Sequence, residues 1–202
     1  MNRRVMFVLV VLCMFAVALG AQQPSKPAAK QPEKAAAAPA KAPEMPKPGP
    51  EHKRLAYWVG KWTGTGETKA SPFGPGGKMS WSDTTEWMPG GFYLLTRSDA
   101  KGPMGNAKGM AFMGYDPEEK AYTYYAVSSM GYAILAKGTI TGDTWNWMTD
   151  SKMGGKPMKS RFIAKELPPN GFSFKFEMSQ DGGKTWNTVE EGKATKAAKA
   201  AK

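Results

Sequence analysis

From residue 60 onward the chain is built of short stretches in which apolar and polar residues alternate, broken about every ten positions by Gly, Pro, Asp or Asn. A period of two marks strands with one buried face, because successive side chains point to opposite sides of a sheet. Phe172, Phe174, Phe176 and Met178 show it most plainly, and Trp81 with Trp87, Tyr122 with Tyr124, and Trp145 with Trp147 repeat it. On this pattern strands are predicted at 61–68, 78–88, 91–98, 108–115, 120–128, 131–140, 143–150, 157–166, 171–179 and 184–192, after a short amphipathic helix over 51–59. Turn chemistry falls between them, as PGG at 89–91, DPEEK at 116–120, TGDT at 141–144, PPNG at 168–171 and DGGK at 181–184. Short links imply antiparallel neighbours, and ten strands without a covering layer of helices hide their edges best by closing on themselves. The expected fold is all-β, an up-and-down antiparallel barrel of about ten strands with one short N-terminal helix. A two-sheet sandwich fits the same pattern.

One turn carries a motif. Residues 179–186, SQDGGKTW, match the S-x-D-x-G-x-T-W box of sialidase propellers. The box lies between two alternating runs, with Trp186 and Thr188 resuming the alternation. Ser179 and Asp181 can bond the turn's backbone amides, Gly182 and Gly183 can take positive φ, and Trp186 can fold back over the loop. Sialidases repeat the box beside an arginine cluster, whereas here it occurs once and the only arginines beyond residue 20 are Arg54, Arg97 and Arg161. A purely structural turn is expected.

The ends read differently. Met1-Asn2-Arg3-Arg4 followed by the apolar run Val5 to Leu19 has the form of a secretory signal peptide over 1–20, cleaved near Gly20 or Ala21, too short to span a bilayer and leaving no transmembrane segment once cleaved. Residues 21–50 are Ala, Pro and Lys, which predicts an unstructured tether, and 193–202 is a basic Lys/Ala tail; the barrel domain is assigned to 51–192. The protein is therefore expected to be exported, to the periplasm or beyond. Most of the net charge of +11 belongs to these ends, and residues 54–192, with 16 basic and 14 acidic side chains, are nearly neutral. A nucleic-acid partner is not expected, while weak contact of the Lys-rich ends with anionic envelope surfaces is. Cys13 lies in the signal segment, so the mature chain has neither disulfides nor a thiol nucleophile.

HKRLAYWVGKWTGTGE at the start of the domain, KGMAFMGYDPEEKAYTYYAVSSMG in its middle and SRFIAKELPPNGFSFKFEMSQDGGKTW near its end resemble a bacterial family of exported, calycin-like barrel proteins known as domain of unknown function 1579. The resemblance covers about 52–192 and rests most on Leu55, Gly60 and Trp62, on Gly109 with Gly114-Tyr115-Asp116, and on Arg161. It implies a lipocalin-like fold and brings no activity or site.

Candidate chemistry is sparse. His52 is the only histidine and is read as a solvated residue at a helix start; no metal-ligand set, cofactor motif or catalytic residue stands out. Glu190-Glu191 reads as solvated surface, and the eleven methionines beyond the signal read as core or pocket filling. The aromatics say more, because ten strands enclose more space than the eight that side chains just fill. Trp81, Trp87, Trp145, Trp147, Phe174 and Phe176 are the expected walls of an interior site for a small, mainly apolar or amphipathic ligand, with Arg161 or Tyr115 turned inward to hold a polar end. Binding without catalysis is the favoured role. The alternative is a filled barrel acting as a tethered interaction module at the envelope.

Overall fold

The computed structural model describes residues 45–72 and 74–198. The expected signal peptide, the tether as far as residue 44 and the last four residues of the basic tail lie outside them. The chain enters through helix α1 (Pro50–Arg54) and a 3-10 turn (Leu55–Trp58). It then forms β1 (Gly60–Thr68), β2 (Gly77–Trp87), β3 (Leu94–Gly102), β4 (Gly105–Asp116), β5 (Ala121–Ser128), β6 (Ala133–Thr141), β7 (Thr144–Met153), β8 (Lys156–Leu167), β9 (Gly171–Ser179) and β10 (Asn187–Lys196). Each strand pairs antiparallel with the next, and β10 returns to β1, closing the barrel. Closure leaves no strand edge among these ten, as the meander of short links predicts.

Several boundaries differ from the pattern by two to four residues, and in β3 and β10 the reason is local. β3 starts at Leu94 rather than 91, because Gly90 and Gly91 take φ of 93° and 73° in the turn after β2. The last strand runs from 187 to 196 instead of 184 to 192. Thr185 and Trp186 are spent on the SQDGGKTW loop, and Ala194, 2% exposed, sits opposite Gly64 and Phe172, so residues 193–196 belong to the wall and not to a tail.

The two ends of the barrel are unlike. At one end α1 and the 3-10 turn plug the opening: Leu55, Trp58, Trp62, Tyr122, Trp145 and Phe172 pack there with ring centroids 4.9–6.1 Å apart where they touch. Arg54 binds Glu166 at 2.5 Å, the Trp145 indole donates to the same carboxylate at 2.7 Å, and the Tyr57 hydroxyl donates to the Gly171 carbonyl. Lys196 donates to the Tyr57 carbonyl at 2.6 Å with its ammonium 4.7 Å from the Trp62 ring. Both β1 at its start and β10 at its finish are thus tied to the plug. His52 is buried, a correction to its solvated reading: its Nδ1 accepts from the Gly49 amide at 3.1 Å and its ring meets Phe92 and Tyr115 edge-on. The opposite end carries the β1–β2, β3–β4, β5–β6, β7–β8 and β9–β10 links, and no helix among the described residues lies there.

Candidate functional site

The interior beyond the plug is a lumen whose shape follows from two glycines. Gly64 on β1 faces Trp81 on β2, and Gly138 on β6 faces Trp147 on β7, each pair in direct register. A Cβ on Gly64 would fall 2.0 Å from Trp81 Cζ2, and one on Gly138 would fall 2.5 Å from Trp147 Cε3. Each indole therefore lies flat against the neighbouring strand, in the place a side chain would occupy, and does not cross the lumen. Phe174 meets Trp81 edge-on at 5.4 Å and stacks on Phe162 at 5.1 Å, continuing this aromatic lining.

Exposure separates lumen from plug. Inward-facing Trp62, Leu94, Tyr122 and Trp145 are sealed, at 0–5% exposure. Inward-facing Met79, Trp81, Asp83, Ser98, Tyr124, Phe162, Phe176 and Glu190 keep part of their surface accessible, although Trp147, Met158 and Phe174 among them are buried by their neighbours. The wall is thus aromatic and methionine-rich, with a few polar groups at set places.

Two of these are carboxyls. Burial pushes the Asp83 carboxyl above its ordinary range, opposed by hydrogen bonds from the Ser98 and Trp81 side chains. Burial does the same to Glu190, opposed by the Thr68 hydroxyl, which donates to it at 3.4 Å. Both shifts have one cause, the poorer solvation of a charge next to apolar walls. The Tyr124 phenol is pushed up to about 12, by burial first and then by the charge of Asp83.

Of the residues expected to form the site, Trp81, Trp147, Phe174 and Phe176 point inward beyond the plug; Trp81 and Phe176 keep accessible surface, whereas Trp147 and Phe174 are buried at 6% exposure. Trp87 packs against the buried core from the plug end of β2, and Tyr115 lies at that end between His52 and Tyr122, at 5.9 and 5.1 Å. Trp145 is 0% exposed, held by Glu166 and Trp58, so it seals the plug and has no face for a ligand. Arg161 is a correction. It does alternate with the inward Phe162, but that places it outside, where its Nε donates to Glu177 at 2.5 Å and its guanidinium stacks 4.2 Å over Trp186. No cation reaches the lumen from this position.

Sequence reading missed Asp83 and Glu190 as lumen groups. Asp83 shares the parity of Trp81 and Trp87, a signal that was present. Glu190 follows a register shift between Thr188 and Glu190: Thr188 pairs with outward Glu177, Glu190 with inward Phe176. A solvated reading holds for Glu191, which binds Lys69 at 3.1 Å, and is corrected for Glu190.

The SQDGGKTW loop at the open end uses its polar groups on itself. Asp181 Oδ1 accepts from Ser179 Oγ at 2.8 Å and from the amides of Lys184 and Thr185 at 2.9 and 3.0 Å, Asp181 Oδ2 accepts from Thr185 Oγ1 at 2.6 Å, and Trp186 Nε1 donates to the Gly183 carbonyl at 3.0 Å. These bonds, the Thr185 hydroxyl's foremost, hold the Asp181 carboxyl well below the usual range. Gly182 and Gly183 take φ of 79° and 97°, as the turn requires.

A concavity of about 1120 Å³ opens where Gly66 on β1 and Gly192 on β10 face each other, lined by the inward Met79 and Phe174 as well as by outward side chains. Its rim carries Lys78, Lys101, Lys165, Lys175 and Lys193 with Glu67 and Glu191. Among the described residues no group of three or more His, Cys, Asp or Glu could hold a metal ion, and no helix is long and apolar enough to cross a membrane.

Comparison with known proteins agrees with this architecture. The crystal structure of Rv2717c from M. tuberculosis superimposes with a TM-score of 0.51 at 10% identity, covering 74% of this chain and 99% of that one. The S-type phycobiliprotein lyase CPES from Guillardia theta does so with a TM-score of 0.53 at 8% identity, covering 74% and 93%. At such identities the likeness is one of fold alone. No curated protein matches the sequence. Residues 47–196, which span α1 and all ten strands, match the model described as "Protein of unknown function (DUF1579)", and the chain belongs to that family.

Proposed function

We propose that this protein is an exported binding protein that holds a small, mainly apolar molecule in the barrel lumen and does no chemistry on it. The observation that carries the reading is the placing of Trp81 and Trp147 flat on Gly64 and Gly138, which lines the wall with rings and leaves the space between walls to a ligand. The partly accessible Met79, Tyr124, Phe162 and Phe176 supply further apolar surface, and methionines adapt to ligands of irregular outline. The plug closes one end, so a ligand enters from the other. Export rests on the signal-like segment 1–20.

An apolar ligand leaving water for such a lumen gains about 0.8 kcal/mol for each buried methylene, or roughly fourfold in affinity. The test is native mass spectrometry of the protein isolated from its own host, together with tryptophan-fluorescence titration by a homologous series of straight-chain alcohols. A saturable response that strengthens by about that factor for each added methylene, weakens in Phe176→Ala and persists in Lys61→Ala, an exposed control, is expected. No saturable response to any member of the series would leave the filled, tethered interaction module as the better account.

A further inference from the structure

The sign of the charges inside the barrel identifies the head group, an inference that rests on the lumen reading above. The strands carry many lysines and arginines, but their registers turn them outward, Arg161 included. The exceptions are Lys196, folded over Trp62 in the plug, and Lys156, exposed at the rim of β8. The charged side chains that point into the lumen are both acids, Asp83 on β2 and Glu190 on β10. Neither has an ion pair with another described residue; the neutral Ser98 lies opposite Asp83 on β3, and the neutral Thr68 hydroxyl donates to Glu190 at 3.4 Å.

A carboxylate lodged among rings without a cation is costly to the fold, and a ligand that brings the cation removes part of that cost. The surroundings of Asp83 suit such a guest. Trp81 shares the inward face of β2 with it, and Tyr124 lies near enough to feel its charge, so an ammonium beside Asp83 would meet aromatic faces as well as a carboxylate. A carboxylate head would instead face two like charges, with Lys156 at the rim the one inward cation of the described strands outside the plug.

We infer that the lumen selects amphiphiles whose head is an ammonium-type cation, seated at the Asp83 carboxylate beside Trp81 and Tyr124, with Glu190 adding negative charge nearer the open end. Free alkylamines and quaternary ammonium lipids share this chemistry. The apolar tail is the part already assigned to the aromatic wall.

The experiment compares three probes with equal tails, decyltrimethylammonium, decanol and decanoate, below their micellar concentrations, by tryptophan fluorescence and calorimetry on the full chain. The ammonium probe is expected to bind about tenfold more tightly than decanol, and decanoate more weakly than either. Asp83→Asn, which keeps the side-chain shape, should bring the ammonium probe down to about the affinity of decanol, and a cooperative thermal melt of the variant reports an intact fold. Glu190→Gln should lower ammonium affinity by a smaller factor. If decanoate binds as well as the ammonium probe, or if the ammonium preference survives in both variants, the head-group inference is overturned and the lumen reading stands. If none of the three binds, both fall. Recovery of a quaternary ammonium lipid with the protein from its host, set against recovery of a free alkylamine, separates the two sources.

Discussion

A tryptophan that lies flat on a glycine leaves no tolerance for a methyl group. Gly64→Ala would put a Cβ 2.0 Å from the Trp81 ring, and because that ring is also edge-on to Phe174 it can yield only toward the lumen. The substitution is expected to cost about 1–3 kcal/mol in urea unfolding, as overpacking does, and to weaken alcohol binding by displacing the indole into the ligand's space. Gly138→Ala should repeat both effects through Trp147. A variant of either kind with unchanged stability and unchanged binding would show that the rings do not define the lumen. Asp83 makes a different prediction. Its folded-state pKa is raised, so its contribution to stability is fully present below the ordinary carboxyl range and is lost as pH rises through the raised value. Asp83→Asn should therefore melt higher than the parent at pH ~7, with the gain fading toward pH ~3. Asp181 has the opposite sign: its pKa is lowered, and the stability it contributes above the ordinary range is lost as pH falls through the lowered value. Thermal melts of the parent and the Asp83 variant across this range decide the first case.

Among the elements, the β9–β10 loop is the most self-contained. Asp181→Ala removes the acceptor of two backbone amides and two hydroxyls and should lower the melting temperature, while Gly183→Val, at φ 97°, should cost about 1–3 kcal/mol in unfolding. Binding of decanol by the folded fraction is expected to survive both changes; its loss at unchanged stability would give the loop a role beyond its turn. The period of two sufficed to find all ten strands and the order in which they close, because each strand has one buried face and each link is short. It found less of the site. Parity says which residues share a face but not which face is inside, so Arg161 entered the expected site on its neighbour Phe162's account. Parity also fails across an irregularity, and the register shift after Thr188 turned Glu190 inward without any mark in the local sequence. Trp145 and Trp147 look equivalent in sequence; only the docking of α1 and the 3-10 turn, a contact between distant parts of the chain, buries one in the plug and leaves the other beside the lumen. His52 is buried by the same docking.

At the scale of the whole molecule, closure depends on the last strand. Deleting residues 193–202 would remove Ala194 and Lys196 from the wall and four of the seven β1–β10 pairs, and is expected to abolish cooperative unfolding, whereas deleting 199–202 should leave the melt unchanged. On the expectation from its Ala/Pro/Lys composition, limited proteolysis should trim 21–44 and stop near α1; if 1–20 acts as a signal peptide, the mature form should have the mass of a chain beginning near Ala21. A mature mass that retains Met1 would refute the cleavage. The chain enters the plug at Pro50 and leaves beside it, where the Ala197 amide bonds the Lys61 carbonyl. The described residues therefore enter and leave the barrel at one pole. A surface that touched this pole would leave the opposite mouth free, so capture there is compatible with loading and unloading from the far side.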